Sequence, residues 1–223
     1  MHRWDTEIRA TLSGRDGSEV IDEVISIFNE LSVLSGVPVV TGKGFANFII
    51  VVDEDPLGYF LRSINEEQRE IVFGNDSYYI NQLRADMKVD AEPDCAGFVV
   101  IGGHPKNAKP INNIIDLSSS IGFTLVLVQY SENKGKNLRC LYEEMYQGFG
   151  LFNDQSGAIC TMFDNELTPS SPTGLDRLLI YLLYSEAVQS GMTKPEALLS
   201  LAQFIGETEE LSMLMERDAS CVE

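Results

Sequence analysis

The chain carries only two histidines, His2 and His104, and none of its four cysteines are spaced Cys-x-x-Cys. The histidine count rules out a three-His zinc centre, and the cysteine spacing argues against a structural zinc knot. No apolar run approaches the roughly 20 residues that cross a bilayer as a helix. Met1-His-Arg-Trp-Asp5 does not lead into a signal-peptide core. The chain is therefore expected either to be cytoplasmic or to begin after a removed signal. Basic residues are scarce, 16 Lys and Arg against 34 Asp and Glu, for a net charge of −18. Such a surface repels nucleic acid and anionic membrane, so neither is expected as a partner. Solubility, or a saline extracytoplasmic habitat, accounts for the acidity more simply than recognition of a basic partner. No internal repeat or low-complexity segment occurs. Gly102-Gly103 lacks the G-x-G-x-x-G context of a nucleotide loop.

What is present is enough apolar residue, 44% of 223, for one sizeable core. The pattern reads as an α+β layer and a single domain, 1–223, with a helical insertion at 57–94. Residues 7–13 alternate as a strand. Val20, Val24, Ile27, Phe28, Leu31 and Leu34 recur at helical spacing, with Ser18 as N-cap and Gly36 as the end. Residues 37–40 and 45–52 read as strands, the second apolar enough to be central. Asp53-Glu54-Asp55 reads as a charged strand-end turn before a hard-cation site. Within the insertion, 64–72 and 78–87 are expected to be helical. Residues 97–101 and 123–129 are strands. His104, beside a proline in a Gly-rich turn, reads as a loop residue before a general base. Residues 178–184 form a helix apolar nearly all round, hence buried. Thr193 and Glu196 have the spacing of a capping box opening another.

The stretch Cys140 to Asp154 organises the rest. It predicts an amphipathic helix over 138–149 that stops at Gly150. Glu143 and Gln147, four apart, share one face, with Glu144 beside them. The frame Glu-Glu-x-x-Gln-x-x-Gly-x-x-Asn overlays His-Glu-x-x-His-x-x-Gly-x-x-His, the zinc frame of metzincin peptidases. Each histidine position is occupied by Glu143, Gln147 or Asn153. His2 and His104 are expected to lie away from this helix.

Cys140-x-x-Glu-Glu-x-x-Gln-x-x-Gly-Leu-x-Asn-Asp154, then Thr161-Met-Phe-Asp-Asn165, Leu178 to Tyr184 and Gly191-Met-Thr193, resembles a bacterial family of extracytoplasmic proteins whose shared domain has no assigned function. The match covers about residues 138–200. This copy departs at Thr161-Met162 and at the swapped Asp164-Asn165. The family in turn looks like a degenerate metzincin. The resemblance implies a metzincin-like mixed sheet with an N-terminal backing helix, a central active-site-type helix and C-terminal helices. It places Met162 where a Met-turn stands, and it implies an extracytoplasmic location.

Three roles fit these residues. The first is a metal-free pseudopeptidase, without cofactor, that binds a peptide or protein partner in the former cleft through Gln147, Asn153, Asp154 and Met162. The second is a divergent hydrolase using Glu143 and Glu144, with a non-zinc metal or none; adjacent carboxylates repel, raising one pKa and providing an acid–base pair. The third is structural, with Glu143, Glu144 and Gln147 bonding the turn and a neighbouring strand. A cytoplasmic acidic interaction protein is the reading that ignores the resemblance. Oxygen ligands at the histidine positions suit Ca²⁺, Mg²⁺ or Mn²⁺ better than Zn²⁺. A Cys95–Cys140 disulfide is expected to anchor the helix to the sheet, with Cys140–Cys160 as the alternative. The oligomeric state is not readable.

Overall fold

A computed structural model of the chain describes residues 1–41, 46–74, 78–87, 95–101, 120–152, 161–163 and 169–207. The strands β1 (Ile8–Ser13), β2 (Val39–Thr41), β3 (Phe48–Asp53), β4 (Cys95–Ile101) and β5 (Ile121–Gln129) form one sheet in the order β2-β1-β3-β5-β4. Four run parallel, while β4 runs antiparallel to β5 at one edge. With helices on both faces, the fold is α+β, as the sequence predicts.

The apolar runs of β3 and β5 explain the layering. Successive strand residues point to opposite faces, and these two strands are apolar at nearly every position. Phe48, Ile50 and Val52 of β3, with Val126 and Val128 of β5, join one buried cluster. Val51, Phe123, Leu125 and Leu127 join the other. The first cluster is covered by α1 (Ile21–Ser35), α5 (Lys134–Gly148) and α6 (Gly174–Tyr184). The second is covered by α2 (Pro56–Ser63), α3 (Glu66–Phe73) and α4 (Tyr78–Asp86). A last helix, α7, spans Lys194–Glu207. β3 is the middle strand, in accord with its composition.

Three local expectations change. Ser18 does not cap α1: Gly17–Val20 is a tight 3-10 turn, and Val20 precedes the helix without a side-chain cap. The chain leaving β1 is pinned to β3 through Asp16 N–H to Val52 O, 3.2 Å, which holds this first turn short of the helical path. The 57–94 stretch carries a helix more than expected among the described residues, because α2 begins directly at Pro56. Proline suits the first helical turn, where its missing N–H costs nothing, and Asp55 caps it by accepting from Gly58 N–H at 3.0 Å. Asp53-Glu54-Asp55 is indeed a strand-end turn. Buried Asp53 takes a two-pronged bond from Arg15, 3.0 and 2.9 Å, and the N–H groups of Arg15 and Asp55. These bonds, led by the guanidinium, hold its carboxyl far below the usual range. The Thr193–Glu196 box is present in its reciprocal half: Glu196 accepts from Thr193 N–H and hydroxyl at 2.8 and 2.7 Å.

Candidate functional site

Helix α5 begins one turn earlier than the apolar pattern predicts, because Asn133 caps it by accepting from Gly135 N–H at 3.0 Å. Leu141, Met145 and Tyr146 turn into the core and are fully buried. Cys140, Glu144 and Gln147, at i, i+4 and i+7, fall on another stripe, and that stripe lies against β4. Cys140 is bonded to Cys95, with Cα atoms 5.7 Å apart. Two residues along β4, Gly97 stands over Glu144. A Cβ at position 97 would lie 2.4 Å from Glu144 Oε2 and 3.9 Å from Gln147 Oε1. The repeats match: two strand residues advance about 6.6 Å and four helix residues about 6 Å. A disulfide at one step therefore sets the carboxylate under glycine at the next. Glycine at 97 is required by this close approach, not by its backbone angles.

Glu144 is 5% exposed. Burying a carboxylate so deeply requires compensating partners; Glu143, Glu144 and Gln147 all have interactions in the structure. Glu143 and Gln147 are half-buried. The two adjacent carboxylates thus occupy unlike environments, one beneath β4 and one nearer solvent. Among the described residues, no group of three His, Cys, Asp or Glu side chains is placed to hold a metal ion. The donors on this stripe are oxygens and one amide. They do not match the imidazole and thiolate chemistry of a zinc peptidase.

The far end of α5 is held by residues from distant parts of the chain. The last carbonyls of a helix have no partner within it. Here the buried Trp4 indole donates to Gly148 O at 2.9 Å, and the Tyr184 hydroxyl donates to Phe149 O at 2.8 Å. Tyr184 also accepts from Trp4 N–H at 3.0 Å, and burial pushes its phenol well above its usual pKa. Arg3 donates to the carbonyls of Leu183 and Ser185, both at 3.1 Å. Gly150 follows with φ +119°, in the left-handed half of the map, and a Cβ there would meet His2 O at 2.6 Å. The expectation that both histidines lie away from the helix is therefore overturned for His2. Its main chain rests on the Gly150 turn and its ring is 6.3 Å from that of Phe152. The N-terminal strap doubles back on α5, which sequence distance conceals. One imidazole still provides no three-His set.

Met162 is 2% exposed and belongs to the same core cluster as Met145. Its turn is tied down by Asp176, which is fully buried. Asp176 accepts from Met162 N–H at 3.0 Å, from the Thr161 hydroxyl, and from Thr173 N–H at 2.8 Å. Thr173 and Asp176 form the capping box of α6. That Thr-x-x-Asp spacing before an apolar run was the available signal for this hub. Asn153, Asp154, His104 and Cys160 lie outside the described residues.

The family described as Protein of unknown function (DUF2927) matches the chain over residues 1–203. The chain belongs to this family. No curated protein and no solved structure matches it.

Proposed function

We propose that this member of the DUF2927 family is a metal-free pseudopeptidase of metzincin-like architecture, holding a peptide or protein partner in the former active-site cleft, along α5 and the open edge of β4. The observation that carries the reading is the pair Glu144 and Gln147 lying beneath Gly97 of an antiparallel edge strand, with half-buried Glu143 beside them. Among the described residues β4 pairs on one side only, with β5. An unpaired strand edge recognises an extended peptide through main-chain hydrogen bonds. The positions that would bind zinc in a metzincin carry oxygen donors, and Glu144, at the base position, is buried against Gly97. That arrangement favours a binding cleft over a reaction centre, so no catalytic step is assigned to it.

The partner would meet half-buried Glu143 and Gln147; Asn153 and Asp154 lie outside the described residues, and Met162, 2% exposed, supports the core rather than lining the cleft. An extracytoplasmic location is part of the proposal. The Cys95–Cys140 bond supports it, because structural disulfides persist in oxidising compartments.

The test combines metal analysis by mass spectrometry, a general peptidase assay of the wild type and Glu144→Gln, and selection of binders from a random peptide library. The expected result is no stoichiometric metal, no cleavage, and selected peptides that slow hydrogen exchange at residues 95–101. Stoichiometric metal with cleavage lost in Glu144→Gln would instead establish the hydrolase using Glu143 and Glu144. Four free thiols in unreduced, denatured protein would refute the disulfide and weaken the extracytoplasmic assignment.

A further inference from the structure

A second recess lies on the other side of the Gly150 turn. It measures about 750 Å³, inside the range of about 300–1,000 Å³ typical of small-molecule sites. Its main wall is the outer face of α6. Leu175, Leu179 and Leu182 stand there at i, i+4 and i+7, one stripe of a helix that is apolar on its inner side as well. Phe152, Phe163 and Leu201 of α7 also line it. Leu179 remains 38% exposed, so the recess is open to solvent along this wall.

The charge of the lining is opposite to that of the chain. Among the described residues no Asp or Glu lines the recess, although acidic residues outnumber basic ones 34 to 16 in the chain. Lys194, exposed at the start of α7, also lines it. The nearest acid on that turn, Glu196, is folded back onto Thr193, whose N–H and hydroxyl it accepts. Thr161, the other hydroxyl in the lining, is committed to Asp176. What the described lining offers a ligand is therefore an apolar trough with the Lys194 ammonium beside it.

We infer that this recess binds an amphiphile with an extended hydrocarbon chain and an anionic head, of the long-chain carboxylate class. The chain lies along the α6 leucines and the head meets Lys194. Desolvating the chain supplies the affinity, and the lysine selects the head. The site is independent of the pseudopeptidase reading, since no residue of β4 and none of Glu143, Glu144 and Gln147 lines it.

The test is calorimetric titration of the full chain with myristate and with the uncharged alcohol of the same chain length, each below its micellar concentration. Saturable one-to-one binding of myristate is expected. Leu179→Trp fills the trough from a partly exposed position, so the fold tolerates it, and should weaken binding at least tenfold. Lys194→Glu should weaken myristate about fivefold or more, as expected for an exposed charge, and leave the alcohol unchanged. Absence of saturable binding by the wild type overturns the proposal, as does wild-type affinity in Leu179→Trp. Equal binding of acid and alcohol, with no effect of Lys194→Glu, overturns the anionic head. Glu144→Gln should bind myristate like the wild type, which separates failure here from failure of the pseudopeptidase reading.

Discussion

The two ends of α5 are held by different means. Near its start, Cys140 is joined covalently to β4. At its finish, Gly148 and Phe149 are held by hydrogen bonds from Trp4 and Tyr184. The first tether sets register, because it fixes one point of contact between helix and strand and the matched repeats fix the next. The second sets the exit, because it ties the last carbonyls of the helix to the N-terminal strap and to α6 and passes the chain into the crowded Gly150 turn. The stripe Glu143–Gln147 lies between the tethers, which makes its position a property of both.

Breaking the second tether should cost more than breaking the first. Trp4→Ala removes the largest buried side chain and the donor to Gly148 together. A loss of about 3–5 kcal/mol is expected in urea unfolding. Replacing both Cys95 and Cys140 by serine opens a loop with a sequence separation of 45 residues, for an expected loss of about 2–4 kcal/mol. Hydrogen exchange at 95–101 should rise in the double serine variant and change less in Trp4→Ala; equal changes would dissolve the distinction between the tethers.

An anchor away from α5 provides the control. Asp53 has its carboxyl held down chiefly by the Arg15 guanidinium. A depressed carboxyl contributes stability above its unfolded value, about pH 3.9, and loses it as pH falls through the lower folded value. Asp53→Ala should lower stability at pH 7 by about 2–3 kcal/mol and flatten the acid limb of the stability–pH profile, with exchange at 95–101 unmoved. The smallest effect separates hydrogen bond from packing within the second tether. Tyr184→Phe keeps the ring but leaves Phe149 O and Trp4 N–H without their partner, for about 1–2 kcal/mol in the same unfolding assay.

Much of this was legible in advance because it is local. β3 and β5 declare themselves as apolar runs, α1 and α5 by period, α7 by Thr193 and Glu196. Cys95 and Cys140 stood where one bond would join helix to sheet, and they are bonded. What escaped notice depends on contacts between distant parts of the chain. Pro56 reads equally as the end of a strand and as the first turn of α2. Ser18 has a capping side chain, but the tether from Asp16 to Val52 decides the turn. His2 is far from Gly150 in sequence and against it in space. Glu144 has the spacing of a base, yet its burial is set by Gly97, a residue without a side chain to signal the contact.

By itself the sequence determined which segments are helix and strand over most of the described chain, because period and apolar content act within a few residues. It also determined that no three-His zinc centre can exist, since that is a count. Only the tertiary structure decided the sheet order, the antiparallel edge over α5, the capping of α5 by Trp4 and Tyr184, and the apolar recess behind Gly150. Each depends on which surfaces meet, and a glycine that admits a carboxylate or an N-terminal strap that closes a helix leaves no periodic mark in the chain.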